Sequence, residues 1–75
     1  MTIKFGLVGG GVMGEALLSR LIARGIYQGS EVIVSEPQES RRSFLQQQYG
    51  VAVTTDNCLV LSQAQEAVML AVKPQ

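Results

Sequence analysis

Residues 5–17, Phe5-Gly6-Leu7-Val8-Gly9-Gly10-Gly11-Val12-Met13-Gly14-Glu15-Ala16-Leu17, decide how the rest of the chain is read. The run from Ile3 to Val8 is apolar apart from Lys4 and Gly6, which predicts a short buried strand. Gly9, Gly10 and Gly11 then force a turn, and from Val12 the apolar period changes from two to about 3.6. Met13, Leu17 and Leu21 fall on one helical face, Leu18 and Ile22 widen that stripe, and Gly25 is placed to stop the helix. The residues from Gly9 to Gly14 satisfy G-x-G-x-x-G. That pattern is weak alone, and acquires meaning between a strand and a helix, where the bare backbone can cradle the diphosphate of a dinucleotide. In that reading Gly9 makes the tight turn, Gly11 lacks the Cβ that would block the diphosphate, and Gly14 lets the helix lie close to the sheet. The N–H groups of residues 11–13 would point at the phosphates, helped by the helix dipole. The plainer alternative is a glycine turn of structural use only.

Moving outward, Glu31 to Ser35 encloses Val32-Ile33-Val34, a β-branched run that predicts a second buried strand. Pro37 suits a first helical position and Glu39 the positive end of the helix dipole. The helix to Tyr49 is mostly polar, with Phe44, Leu45 and Tyr49 as its inward residues and Gly50 as its end. Val51 to Val53 reads as a third strand, Thr55 or Asp56 as the cap of a brief helix through Leu61, and Ala67 to Val72 as a fourth strand. Strands and helices alternate, so the fold class is α/β: a Rossmann-type parallel sheet of order 3-2-1-4 with helices on both faces, joined by right-handed crossovers. Such a sheet normally continues past its fourth strand, so residues 1–75 are expected to be the N-terminal part of a dinucleotide-binding domain.

Composition bounds the alternatives. Six basic and six acidic residues balance to zero, which offers no electrostatic footprint for nucleic acid or an anionic membrane. One cysteine, Cys58, and no histidine rule out an internal disulfide and give no structural zinc site, so no metal is expected. The N-terminus is not a signal peptide and no apolar run approaches a membrane span, so the expected location is the cytoplasm. A chain of 75 residues has a marginal core of its own.

The second checkpoint is the exit of the second strand, where an adenosine ribose would lie. Glu36 stands 22 residues after Gly14, against an expected spacing of about 20 for a ribose-binding acid. A carboxylate there accepts from both ribose hydroxyls and repels a 2′-phosphate, whereas Arg41 and Arg42 would attract one. The bland alternative makes Glu36 a helix cap and leaves the arginines solvated. Lys73 follows the fourth strand at the ligand-binding edge, and Cys58 reads as core rather than nucleophile, since no histidine could activate it.

The stretch from Phe5 to Leu17, together with Ala71-Val72-Lys73-Pro74-Gln75, Gly50-Val51 and Asn57 at matching intervals, resembles the N-terminal domain of the pyrroline-5-carboxylate reductase family. The resemblance covers essentially the whole chain, and the A-V-K-P-Q ending is its more specific half. It implies reduction of 1-pyrroline-5-carboxylate to L-proline by hydride from NADPH or NADH, the last step of proline synthesis. It also implies cofactor contacts from Val8, Gly9, Gly10, Gly11, Val12 and Met13, from Asn57, and from Ala71, Val72, Lys73 and Pro74. Two positions depart from the family pattern. Val12 stands where asparagine is common, so only the backbone contact survives there. Glu36 stands where a small hydroxyl residue is common, which puts a strong NADP preference in doubt, although Ser35 beside it can still serve. In the family, a helical C-terminal domain builds the substrate pocket and the homo-oligomer, so residues 1–75 hold no catalytic residue and are expected to lack turnover alone. Two other readings compete: a β-hydroxyacid dehydrogenase, whose loop also resembles Gly11-Val12-Met13-Gly14, and a non-catalytic dinucleotide-binding module.

Overall fold

The structure, a computed structural model, describes residues 2–71. Along the chain lie β1 (Phe5–Val8), α1 (Val12–Ala23), a 3-10 turn (Gly29–Glu31), β2 (Val32–Ser35), α2 (Glu39–Tyr49), β3 (Ala52–Thr54), α3 (Asn57–Gln63) and β4 (Ala67–Leu70). The four strands form one parallel sheet of order β3-β2-β1-β4, as the alternation of strand and helix signals predicts. Gly6 sits between Ile33 on one side and Val68 on the other, which fixes the register of the centre.

Side chains that alternate along β1 and β2 divide the core in two. Phe5, Leu7, Val32 and Val34 face α1 and α2, and meet Leu18, Leu45 and Val51 there. Val8 and Ile33 face the opposite way and meet Val60 of α3. The helices therefore cover both faces, two on one side and one on the other. Every residue of β1 and β2 is buried, which explains the apolar runs Phe5–Val8 and Val32–Val34, whereas β3 and β4 lie at the edges, β3 partly and β4 mostly exposed. Leu18 is fully buried, and a leucine moved from water into such a core contributes about 2 kcal/mol. At the far end of the sheet the rings of Phe5 and Tyr27 stack at 5.2 Å, and Lys4 pairs with Glu31 at 2.9 Å.

Several sequence expectations need correction. Met13 is exposed rather than inward, because the first turn of α1 projects beyond the strand ends and only from Gly14 does the helix meet the sheet. Pro37 lies outside α2, whose N-cap is Gln38: the Glu36–Gln38 turn is held instead by hydrogen bonds to Glu36 and from Arg42. Phe44 is exposed, with the Arg41 guanidinium over its ring at 5.2 Å, and only Leu45 is fully inward. Cys58 is exposed on the first turn of α3, not part of the core. The fourth strand ends at Leu70, with Ala71 already outside it, and Val72 of the expected strand lies outside the described residues.

Candidate functional site

Parallel strands that leave the sheet in the same direction bring their exits together, and the loop after β1 is the point where α1 and β2 also converge. Gly9 adopts φ 102°, a conformation that disfavours side chains, and its N–H donates to the Ser35 carbonyl at 2.9 Å. A Cβ on Gly14 would strike the Gly9 carbonyl, so the absence of a side chain there lets α1 begin directly over the loop. Gly11 is different: a Cβ built on it meets nothing within 4 Å, and its backbone is extended. The space beside it is open and belongs to a surface groove of about 350 Å³ lined by Gly11, Val12, Glu36, Gln38 and Arg41. No side chain caps α1, and the N–H groups of Gly11, Val12 and Met13 have no acceptor among the described residues. Unpaired donors at a helix N-terminus, next to a groove with no Cβ in the way, suit an anion.

The middle glycine has a role that spacing did not reveal. A Cβ on Gly10 would come within 2.6 Å of Leu45 Cδ1 and 3.2 Å of Glu36 Cβ, so the loop lies against both β2's exit and α2. The Gly10 N–H donates to Glu36 Oε1 at 3.0 Å, while Glu36 Oε2 accepts from the Gln38 N–H at 2.8 Å. Glu36 is buried and holds the loop and the start of α2 together, in addition to lining the groove. It is neither a simple helix cap nor a free carboxylate. Arg41 donates to the Gly10 carbonyl through Nε at 3.2 Å and Nη2 at 2.9 Å, and Nη2 also meets Glu15 Oε1 at 2.8 Å. The other oxygen of Glu15 accepts from the Tyr49 hydroxyl at 2.9 Å. The hydrogen bond from Arg41, and then that from Tyr49, hold the Glu15 carboxyl below the ordinary glutamate range. Burial, and then the hydrogen bond to Glu15, push the Tyr49 hydroxyl up. Arg42 donates to the carbonyls of Glu36 and Pro37. Neither arginine is simply solvated.

On the other side of the sheet Ser35 is buried, and its hydroxyl donates to Asn57 Oδ1 at 2.6 Å. Ser35 therefore faces α3, away from the groove. Asn57 is exposed at the start of α3, whose N-cap is Asp56, accepting from the N–H groups of Cys58 and Leu59. Of the two cap residues the sequence offered, Asp56 does the work. The Ala71 N–H donates to the Val8 carbonyl at 2.8 Å, which brings the exits of β4 and β1 side by side. Val72, Lys73 and Pro74, expected at the same edge, lie outside the described residues. The structure thus brings together Val8, the three glycines, Glu36 and Ala71 around one sheet edge, with Val12 and Met13 exposed above it. Arg41, Glu15, Tyr49 and Gln38 join them without having been singled out together by sequence spacing. Among the described residues no helix is long and apolar enough to cross a membrane.

A family model described as NADP oxidoreductase, coenzyme F420-dependent, matches residues 4–75. A pyrroline-5-carboxylate reductase of Synechocystis is 49% identical over 75 residues, the whole of this chain and 28% of its own length. Proteins of the same name from Vibrio alginolyticus and Methanosarcina acetivorans are 38% and 36% identical, each over 96% of this chain and 26% of their own length. The chain thus spans roughly a quarter of the length of these curated relatives.

Proposed function

The chain belongs to the NADP oxidoreductase, coenzyme F420-dependent, family, and from that premise we propose that residues 1–75 are the cofactor-binding part of an enzyme that reduces 1-pyrroline-5-carboxylate to L-proline. The observation that carries the reading is the row of amides at Gly11, Val12 and Met13 that find no acceptor among the described residues, beside a groove where Gly11 presents no side chain. The names borne by the relatives support an imine rather than a hydroxyl group as the substrate function. The nicotinamide dinucleotide, when bound, supplies the hydride. The chain's own residues bind and orient: the three amides take the diphosphate, and Gly9 and Gly14 keep the loop in its tight turn beneath α1. Val8 and Ala71 stand side by side at the strand exits in this reading, and the resemblance adds cofactor contacts from Asn57 and from residues 72–74. Substrate contacts and the proton donor belong to a further, helical domain that also forms the homo-oligomer, in a cytoplasmic enzyme without nucleic-acid or membrane partners.

At the adenosine end, the Glu36 carboxylate lines the groove while Arg41 and Arg42 are occupied with backbone carbonyls. A carboxylate there, with both arginines turned to backbone carbonyls among the described residues, supports the dinucleotide with a bare 2′-hydroxyl, NADH, as the better ligand over NADPH. Gly11→Ala tests the loop. The extended backbone at Gly11 accepts alanine and the site is empty of neighbours, so folding should be unaffected. Affinity for either dinucleotide in titration calorimetry on the intact protein should fall at least about tenfold, because the methyl group takes the diphosphate's place. Unchanged affinity would overturn the assignment.

A further inference from the structure

Resting on that reading of the loop, we propose that Arg41 is a positioning residue: seated by Glu15 and Tyr49, it holds the Gly10 carbonyl so that the Gly11 N–H faces the diphosphate before any ligand arrives. The Gly10–Gly11 peptide is trans, as are the other peptide bonds among the described residues. In a trans peptide the C=O and N–H point in opposite directions, so fixing one fixes the other. Arg41 grips the Gly10 oxygen with two nitrogens, at 3.2 and 2.9 Å, and the Gly11 N–H is thereby turned away from α2. The preceding peptide is fixed as well, since the Gly10 N–H is bound to Glu36. Both sides of one glycine are thus held by side chains 26 and 31 residues distant in the sequence.

Arg41 is itself held on three sides. Glu15 takes the second hydrogen of Nη2, Tyr49 orients Glu15 from the far side, and Phe44 lies beneath the guanidinium at 5.2 Å. This seat costs the ligand nothing to form, because the groups are already ordered, which is the energetic meaning of preorganisation. It also distinguishes Arg41 from a phosphate reader. Nε and Nη2 are committed to the Gly10 carbonyl and to Glu15, so turning that fork outward toward a 2′-phosphate would release the loop, and only Nη1 has no protein partner among the described residues. The device therefore acts on what NADH and NADPH share.

The test uses the intact protein and its Arg41→Met, Arg41→Lys and Tyr49→Phe variants, with NADH and NADPH titrated separately by calorimetry. Arg41→Met should weaken both nucleotides by the same factor, about tenfold, as expected for loss of a charge-assisted hydrogen bond. Arg41→Lys should recover part of that loss, and Tyr49→Phe should show the same pattern at about twofold to threefold. In steady-state assays KM for both nucleotides should rise while kcat at saturation changes less than about twofold. A loss several times larger for NADPH would make Arg41 a phosphate reader and overturn the proposal. So would unchanged affinities in Arg41→Met, or a fall in kcat accompanied by a lowered melting temperature, which would mark general structural damage. If the wild-type protein binds neither nucleotide, the proposed function falls and this inference with it; if the wild type binds and the variants match it, only this inference falls.

Discussion

The two faces of the sheet are built differently. One carries α1 and α2 over a core of seven buried residues, from Phe5 to Val51, and the polar network of Glu15, Arg41 and Tyr49 spans those two helices. The other carries, among the described residues, the seven-residue α3, whose Val60 packs on Val8 and Ile33, with β4 mostly exposed beside it. The thick face is where the glycine loop is braced. The thin face contributes an exposed amide, Asn57, and little else that is fixed. The loop amides without acceptors thus adjoin the more heavily packed face, and the opposite face is left light.

The comparison predicts unequal costs. Leu18→Ala on the thick face should lower stability by about 4 kcal/mol and Val60→Ala on the thin face by about 2, measured by urea unfolding of the intact protein. Equal costs would mean that α3 is as integral as α1. Gly14→Ala should cost about 2–3 kcal/mol, since the new Cβ meets the rigid Gly9 carbonyl, and it should weaken nucleotide binding as the loop shifts. Glu36→Ser should shift the ratio of kcat/KM for NADPH over NADH upward by about tenfold as the repulsion is removed, while both affinities fall with the lost Gly10 brace. An unchanged ratio would make Glu36 a brace alone. Asp56→Ala removes the cap of α3 and should cost about 1 kcal/mol, with faster amide hydrogen exchange confined to that helix.

The smallest effect is one of pH. Glu15 has a lowered pKa in the folded chain, so its contribution to stability is complete above its unfolded value and is lost as pH falls through the folded one. Stability curves of the wild type and Glu15→Gln should therefore converge on acidification below the ordinary carboxylate range. Curves that stay parallel would show that the Arg41 and Tyr49 contacts do not survive in solution.

The order of elements was legible because each strand is a short β-branched or apolar run and each helix follows a clear stop or cap: Gly25, Gly50 and Asp56 all act as the sequence suggests. The sheet order followed from the connections. What periodicity could not show is where a helix meets its partner, so Met13 and Phe44 match an apolar stripe yet stand in solvent. Cys58 was misplaced for a related reason: hydrophobic character does not say which side of so short a helix touches the sheet. The turn at Gly9 and the close approach at Gly14 could be read from a local motif. The role of Gly10 could not, because its partners Glu36 and Arg41 come from a separate part of the chain and meet it only after β2 has paired with β1. Pro37 looked like a helix start only while Glu36 and Arg42 were read without their backbone partners.

The exposed thiol of Cys58 has a practical consequence. It is the single cysteine among 75 residues that contain no tryptophan, and it follows directly after the amide that Ser35 orients. A maleimide dye coupled there would sit on the α3 face beside Asn57, across the sheet from the groove, against a background free of indole fluorescence from residues 1–75. Arrival of a nucleotide at the strand edge would then be visible as a change in emission, in stopped-flow time, with no substrate turnover needed to report it.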